Sequence, residues 1–400
     1  MRLLLVSDTY PPARISGALQ MRDLAQALAA HGHRPVVLTP LTGSQAGGLE
    51  EVDGVQVLRV PAPRAKDVPY WRRTLAELAL PWVLARGLRR SGLAQERWDG
   101  VVWYSPTIFL GPLVHWLRRR LGCPAYLIVR DLFPDWAVDA GVMRKGGPAY
   151  RFFKAVERFQ YRRADIIGVQ TPSNAGLVAR DAPPGARIEV LHNWLAAPPM
   201  SSKGEAPDLG PLEGRINFVY TGNMGVAQDM DAFVELARRM CDRVEIGFVF
   251  VGRGSEVARL KAEAAGLSNL EVLDEIEPAR LPALLEKCNV GIVALHPAHG
   301  THNIPGKLLT YLHAGLPVLA RVNSNNDLVG LIEAQEIGLV VAGGHAALLH
   351  AHACRLATDA ALRKRMGDAG RQLAQKMFSP DAAAMQVAAG LASVRAGNPV

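Results

Sequence analysis

The residues best suited to chemistry lie in segment 296–318, where a polar loop leads into a short helix. Pro305 suits the first turn of that helix, Lys307 and Thr310 follow at helical spacing, and Gly315 ends it. A helix amino terminus favours an anion, and polar loop side chains can bind hydroxyl groups. This pattern is typical of a site for an anionic group flanked by sugar hydroxyls.

Three histidines in the same loop raise the question of a metal site. His296, His299 and His302 are interrupted by Pro297 and Gly300, so no helical face aligns them as ligands. We therefore expect hydrogen-bonding or surface histidines and no metal.

Two glycine-containing turns follow predicted strands in the second half of the chain. Segments 220–225 and 251–255 each end a strand and precede a helix, so their amides can bind phosphate oxygens. Arg253 could meet a diphosphate, although a solvated loop arginine is the alternative.

A third turn, 8–17, follows the first predicted strand and brings Gly17 to the start of a helix. It could admit a ligand to the backbone amides, or it could be an ordinary strand-to-helix turn.

Short apolar runs alternate with helix-length segments on both sides of residue 200. This order predicts an α/β protein with two Rossmann-like, doubly wound domains facing a cleft, and a C-terminal helix that can cross back to the first domain. The predicted strands are 3–6, 35–39, 55–60, 100–104, 125–129, 166–170, 188–191, 216–220, 246–251, 270–273, 290–294 and 317–320.

The predicted division gives each domain its own sheet. Residues 1–195 form the first domain, and 215–378 form the second. Segment 196–214 is dense in turn formers and is predicted as the linker, and 379–400 is predicted as the C-terminal helix.

Composition supports a folded protein with an uneven charge. The 400 residues are 49% hydrophobic, and the net charge is +8. Residues 1–195 hold 26 basic and 16 acidic side chains, against 19 and 21 in the remainder. This split favours one basic domain that faces an anionic partner over general affinity for nucleic acid.

The cysteines and the apolar runs bear on location. Cys123, Cys241, Cys288 and Cys354 form no CxxC pair, which fits a reducing cytoplasm. No apolar run has the roughly 20 residues of a spanning helix, and the first run predicts a strand rather than a signal peptide. Any membrane contact is expected to be peripheral.

Aromatic residues and arginines alternate in the basic half. Such mixtures suit an anionic membrane interface, but amphipathic helices that leave arginines in water explain them equally for 71–90 and better for 116–120. The predicted acceptor or membrane contacts are Trp71, Arg72, Arg73, Trp82, Arg86 and Arg130.

Several segments together resemble a known family. Motifs at 10–17, 24–37, 129–135, 191–194, 220–225 and 307–318 are similar to those of GT-B glycosyltransferases of family 4. The segments 130–135 and 222–225 resemble the subgroup of L-fucosamine (N-acetyl-fucosamine) transferases in bacterial surface-polysaccharide assembly.

The sequence departs from the family at charged positions. Two glutamates eight residues apart are replaced by His302 and Thr310, and an Arg and a Lys are replaced by Asn223 and Gln228. Diphosphate binding must then fall to other residues.

The resemblance implies metal-independent transfer of a sugar with retention, from a nucleotide-diphosphate sugar and without a cofactor. The implied catalytic residues are Lys307 and Arg253, which would stabilise the departing diphosphate, and Asp131, which would orient the acceptor hydroxyl. The implied donor-binding residues are Gly17, Gly222, Asn223, Met224, Gly252, Ile276, His302, Asn303, Ile304, Pro305, Gly306 and Thr310.

The expected partners are a UDP-sugar, a polyprenyl-diphosphate-linked saccharide and the anionic inner face of the bacterial plasma membrane, with no nucleic acid. The product would be O-antigen or capsule, and the sugar an N-acetylated deoxyhexose such as N-acetyl-fucosamine. A nucleotide-sugar epimerase or inverting transferase of the same fold, or an inactive nucleotide-sugar-binding scaffold, are the alternatives.

Overall fold

The computed structural model describes residues 1–13, 15–43, 47–65, 68–139, 141–197, 204–296 and 304–397. The chain divides into two compact units. The first contains Met1–Trp194 together with Pro380–Val400, and the second contains Leu195–Ser379. Each is an α/β domain built on a mostly parallel sheet, which confirms the predicted fold class.

The first domain contains an eight-stranded sheet in the order β3-β4-β2-β1-β5-β6-β7-β8, in which only β3 and β4 pair antiparallel. Its inner strands are continuous buried apolar runs, as parallel strands covered on both faces must be. The strands are Arg2–Val6 (β1), Arg34–Leu41 (β2), Gly48–Val52 (β3), Val55–Pro61 (β4), Gly100–Ser105 (β5), Ala125–Val129 (β6), Ile166–Val169 (β7) and Arg187–Val190 (β8).

Seven α-helices among the described residues cover this sheet. They are Ser16–Ala30 (α1), Tyr70–Arg90 (α2), Gly111–Leu121 (α3), Asp135–Asp139 (α4), Pro148–Tyr161 (α5), Pro172–Ala179 (α6) and Pro380–Arg395, which is numbered α14 by its place in the chain.

The second domain contains a parallel sheet of six strands in the order β11-β10-β9-β12-β13-β14. Its strands are Ile216–Asn223 (β9), Ile246–Arg253 (β10), Leu270–Asp274 (β11), Val290–Ala294 (β12), Val318–Val322 (β13) and Gly338–Ala342 (β14). Its α-helices are Asp231–Arg239 (α7), Val257–Ala264 (α8), Leu281–Glu286 (α9), Gly306–Ala314 (α10), Asp327–Ala334 (α11), Ala346–Thr358 (α12) and Ala360–Met377 (α13).

The strand order determines where each sheet can bind a ligand. In the first sheet β1 lies between β2 and β5, and in the second β9 lies between β10 and β12. The connections leave in opposite directions on the two sides of β1 and of β9, so a crevice opens at their carboxyl ends. Gly17 at the start of α1 and Gly222 at the end of β9 lie at these crevices.

Helix α14 completes the first domain. Its Ala384, Val387 and Leu391 are fully buried, and Leu391 lies against Gly100 at the start of β5. Its small alanines allow close packing, and Gln386 Nε2 donates a hydrogen bond of 3.0 Å to the carbonyl oxygen of Val190. The helix is therefore part of the first domain's core.

The predicted linker is wrong over its described second part. Leu209 and Leu212 are buried in the core of the second domain, so 204–214 packs as part of that domain. Two apolar side chains are enough to bury a segment that is otherwise dense in turn formers. Residues 198–203 lie outside the described residues.

Among the described residues, no helix combines the length and the apolar character needed to cross a bilayer.

Replacing Leu391 by alanine should destabilise the first domain by about 2–5 kcal/mol, because it leaves a cavity in the core. All seven tryptophans lie in this domain, so tryptophan fluorescence during urea unfolding reports on it alone. The matched control is Met385→Ala on the exposed face of α14, with an expected change below about 0.5 kcal/mol. Equal unfolding midpoints for the two variants would show that α14 does not support the core.

Candidate functional site

Two glycine turns lie side by side at the carboxyl edge of the second sheet. Strands β9 and β10 pair in register, with Gly222 opposite Gly252 and Asn223 opposite Arg253. A Cβ atom on Gly252 would lie 1.8 Å from the carbonyl oxygen of Gly222, and both residues have positive φ angles. Only glycine allows this approach, which leaves the turn backbones open to a ligand.

The same contact continues one step beyond the strands. A Cβ atom on Gly254 would lie 2.2 Å from the carbonyl oxygen of Met224. The Met224 amide donates a hydrogen bond of 2.7 Å to the carbonyl oxygen of Arg253. The Met224 side chain is fully buried, and its carbonyl oxygen accepts a hydrogen bond of 3.0 Å from the Glu256 amide, so Met224 anchors the turn.

Gln228 holds the first turn in shape. Its Oε1 accepts hydrogen bonds from Asn223 Nδ2 at 3.0 Å and from the Gly225 amide at 3.1 Å. Farther along, Asp229 pairs with Arg321 of β13. Asn223 and Gln228, which replace the family's Arg and Lys, therefore bind each other. The side-chain amide of Asn223 is used to hold the turn.

Lys307 lies next to these turns. It is the second residue of α10, and its Cε is 3.9 Å from the position of a Cβ atom on Gly222. Its Nζ donates a hydrogen bond to the Tyr220 hydroxyl and lies 3.7 Å from the centroid of the Tyr220 ring. The tertiary structure thus brings the predicted lysine to the predicted phosphate turn.

The environment of Lys307 leaves its charge without compensation. Burial lowers the pKa of its ammonium group to about 7, since desolvation disfavours the charged form. Within the described residues, no carboxylate forms an ion pair with it. An anion that entered this site would restore the charged form, so the arrangement is suited to binding phosphate.

Two buried tyrosines support the lysine. The Tyr220 hydroxyl also donates to the carbonyl oxygen of Asn223, and the Tyr311 hydroxyl accepts a 2.9 Å hydrogen bond from the Thr221 amide. Tyr311 fits because a Cβ atom on Gly291 would lie only 2.4 Å from its ring. The sequence pattern places both tyrosines in candidate segments but gives neither a role, although a tyrosine in a buried apolar strand, as Tyr220 is, is an available signal.

The backbone of Arg253 is part of the second turn, and its side chain extends into solvent. The side chain is 76% exposed, and its guanidinium lies 3.3 Å from the Glu275 carboxylate. Ile276, the next residue, is half-buried and packs against the core of the domain. Arg253 is therefore a long exposed cation, and its ion pair with Glu275 costs little free energy to break.

The start of α10 differs in part from expectation. Pro305 precedes the helix, Gly306 begins it in an exposed position, and Ile304 is buried in the core. The Thr310 hydroxyl donates to the carbonyl oxygen of Gly306 at 3.3 Å, so in this structure it binds its own helix. His302 and Asn303 lie outside the described residues.

In the first domain, Gly17 lets an aromatic ring approach the start of α1. A Cβ atom on Gly17 would lie 3.1 Å from the Tyr104 ring, and the Tyr104 hydroxyl donates to Gln20 Oε1 at 2.8 Å. Asp131 follows β6 at the carboxyl edge. Asp131 is exposed, yet desolvation by the surrounding protein raises the pKa of its carboxyl. The positive charge of Arg130 opposes this rise.

The prediction of Arg130 as an acceptor or membrane contact is wrong. Its side chain is 3% exposed, and its guanidinium donates to the carbonyl oxygen of Leu191 at 2.9 Å and lies 4.5 Å from the Trp194 ring centroid. These contacts tie Arg130 to segment 191–194, although its Nε finds no hydrogen-bond partner among the described residues.

Helix α2 presents the other predicted membrane residues to solvent. Trp71 and Trp82 are 61% and 64% exposed, and Leu75 lies between them on the same face. Arg72 and Arg86 are exposed, while Arg73 pairs with Glu77 at 2.7 Å. The helix buries Leu80, Leu84 and Leu88 on its opposite face, so packing on the sheet does not account for the tryptophans.

The comparisons with known proteins agree with this architecture. Residues 17–194 match a glycosyl transferase 4-like domain, and residues 215–359 match the glycosyl transferases group 1 domain. The chain is also 25% identical over 228 residues to the probable glycosyltransferase WbjE of Pseudomonas aeruginosa. That alignment covers 56% of this chain and spans only 57% of the relative's length.

Solved structures share the fold at low sequence identity. Sucrose-phosphate synthase from Thermosynechococcus elongatus aligns with a TM-score of 0.72 at 17% identity, over 99% of this chain and 100% of that one. WaaG, a glycosyltransferase involved in lipopolysaccharide biosynthesis, aligns with a TM-score of 0.61 at 16% identity, over 99% of this chain and 100% of that one. The E. coli trehalose-6-phosphate protein bound with UDP-2-fluoro glucose aligns with a TM-score of 0.68 at 15% identity, over 98% of this chain and 99% of that one. The fold is that of GT-B proteins.

The lowered pKa of Lys307 should be visible as a pH-dependent stability of the second domain. Between pH 7 and 10.5 the unfolded chain keeps a proton at Lys307 that the folded domain has lost. The free energy of unfolding should therefore rise with pH by about 1.4 kcal/mol per unit relative to Lys307→Met. The measurement is the urea transition that appears in circular dichroism without a change in tryptophan fluorescence. The exposed Lys376→Met is the control, and parallel profiles for wild type and Lys307→Met would contradict the assignment.

Proposed function

We propose that this chain, a two-domain glycosyltransferase of the GT-B fold, transfers a sugar from a nucleotide-diphosphate donor to a lipid-linked saccharide. The observation that carries the proposal is the half-buried Lys307, which has no carboxylate partner among the described residues and lies beside the Gly222 turn. Burying an ammonium group without a partner costs free energy, and a bound anion would offset that cost. The diphosphate of the donor is the anion that fits.

The donor would lie at the carboxyl edge of the second sheet. The open backbone of the turns at Gly222 and Gly252 and the exposed Gly306 amide at the start of α10 can bind phosphate oxygens. Arg253 can leave Glu275 and reach the same diphosphate. A UDP-sugar is the donor class we propose, and the fold shared with a protein that binds UDP-2-fluoro glucose supports it.

The reaction requires that negative charge on the departing diphosphate be stabilised. Lys307 becomes fully charged when the diphosphate displaces water from it, and the Tyr220 hydroxyl keeps its Nζ oriented toward the turn. Preorganised donors of this kind lower the barrier because they need no reorientation as charge develops. We propose that transfer proceeds with retention, without a metal, and that His302, Asn303 and Thr310 contact the donor.

The acceptor would bind the first domain. Asp131, with its raised pKa and exposed carboxyl, is suited to accept a hydrogen bond from an acceptor hydroxyl or to take its proton. We propose a polyprenyl-diphosphate-linked saccharide of surface-polysaccharide assembly as acceptor and an N-acetylated deoxyhexose as the sugar. The relation to WbjE and the shared fold with WaaG, which is involved in lipopolysaccharide biosynthesis, support this class of product.

A lipid-linked acceptor implies work at a membrane surface, and α2 is suited to that contact. Trp71, Leu75 and Trp82 expose a stripe of large apolar side chains, with Arg72 and Arg86 beside them. Tryptophan favours the headgroup region, and arginine pairs with lipid phosphates. We propose that this face rests on the anionic inner leaflet of the bacterial plasma membrane.

The donor assignment predicts that Lys307→Met weakens UDP binding at least about tenfold, since one charge-assisted contact of about 1.4 kcal/mol or more is lost. Affinity in the wild type should fall as pH rises above 7, because binding favours the protonated amine. Titration calorimetry of UDP at several pH values measures both effects, and sugar transfer should fall in parallel. Lys376→Met is the control. Unchanged affinity and turnover in Lys307→Met would exclude this role.

The membrane assignment predicts that Trp71→Ser combined with Trp82→Ser abolishes flotation with phosphatidylglycerol liposomes at low salt. The two tryptophans are large exposed apolar side chains of α2, and wild-type flotation should weaken with added salt because the arginine contribution is screened. Leu49→Ser, an exposed apolar position on β3, is the control. Equal flotation of the double variant and the control would remove α2 from the membrane contact.

A further inference from the structure

A basic hollow lies at the amino-terminal edge of the first sheet, opposite the edge where the acceptor is proposed to bind. Asp99, Pro124 and Asp165 directly precede β5, β6 and β7, which places the hollow at the starts of these strands. It has a volume of about 580 Å³, and the last turn of α3, the segment after α5 and the end of α14 form its walls. We call it the arginine hollow, defined by His115, Arg118, Arg119, Arg163 and Arg395.

Two of its arginines serve the fold. Arg118 pairs with Asp165 at 2.5 Å and donates to the carbonyl oxygen of Arg163 at 3.0 Å. Arg395 pairs with Asp99 of the adjoining surface. These contacts neutralise the acidic groups that face the hollow, since both aspartates also accept backbone N–H groups.

The other two arginines have no such use. Within the described residues, neither Arg119 nor Arg163 forms an ion pair with a carboxylate. The Arg163 guanidinium stacks on the Phe159 ring at 4.6 Å, and its Nε is buried without a hydrogen-bond partner. Two cations therefore remain uncompensated at the hollow, and one holds an unsatisfied donor, which is costly unless an acceptor binds.

His115 reports the resulting positive potential. Its ring packs edge-on against Phe159 at 6.3 Å, so it shares that ring with Arg163. Desolvation lowers the pKa of His115, and Arg163, Arg119 and Arg118 lower it further.

From this geometry we propose that the arginine hollow is a binding site for a phosphate group, with Arg119 and Arg163 as its ligands. Guanidinium groups bind tetrahedral oxyanions through paired N–H donors, and the hollow is wide enough for a phosphate and the group that carries it. The phosphate can belong to a phospholipid headgroup or to a free phosphorylated compound. The site is separate from the donor and acceptor sites proposed above, and its test does not depend on transfer activity.

The first arm of the test titrates the full-length protein with inorganic phosphate and follows the His115 ring protons by NMR. Bound phosphate should raise the pKa of His115 and shift its signals. Arg119→Gln and Arg163→Gln should each weaken binding about tenfold, whereas the exposed Arg180→Gln outside the hollow should bind as the wild type does. Because Arg163 contacts Phe159, unchanged tryptophan fluorescence must accompany its variant, and the exposed Arg119 variant tests the site without that concern.

The second arm measures flotation of the same variants with phosphatidylglycerol vesicles. Flotation that is lost in Arg119→Gln and competed by phosphate would identify a lipid headgroup as the source. Weakened phosphate binding with unchanged flotation would identify a free phosphorylated compound. Wild-type phosphate affinity in both Arg119→Gln and Arg163→Gln, or a His115 signal that phosphate never shifts, would overturn the proposal.

Discussion

The second domain depends on a very close approach of two backbones, and the site follows from it. The carbonyl oxygen of Gly222 on β9 occupies the place where a side chain on β10 would begin, so position 252 must be glycine. Gly222 has a positive φ angle that also favours glycine, so neither residue places a side chain over the edge of the sheet. The approach also makes room for Lys307, whose amine rests on the Tyr220 ring. A side chain at Gly252 would push the two strand ends apart.

Burial then gives the lysine its chemistry. Many surface cations of this protein are paired at short range, as Arg259 is with Asp231, Glu256 and Glu263. Lys307 has no carboxylate partner among the described residues and is shielded from much of the solvent. Whether its amine is protonated therefore depends on whether an anion binds beside it. In the first domain, Arg130 is also buried, but its guanidinium donates to the backbone carbonyls of Leu191 and His192 and lies against the Trp194 ring. One residue is prepared for a ligand and the other for stability.

Much of the architecture could be predicted from the residues because buried parallel strands leave an unambiguous pattern. Runs such as 125–129 and 290–294 are apolar throughout and match β6 and β12. Strand β3 escaped prediction because Gly48–Val52 is an edge strand with exposed glutamates and no alternating pattern. The segment 204–214 misled because its turn formers hide Leu209 and Leu212, whose burial is decided by the sheet they meet.

The candidate site divides in the same way. The sequence by itself determined that Lys307 lies in the first turn of a helix, that glycines follow the predicted strands 216–220 and 246–251, and that basic residues gather in the first domain, since these are local patterns. Only the tertiary structure decided that Lys307 lies over Tyr220 beside Gly222, that Arg130 is internal, and that Arg119 and Arg163 stand unpaired around one hollow. Burial and charge pairing depend on residues far apart in the chain, and a local pattern carries no information about distant neighbours.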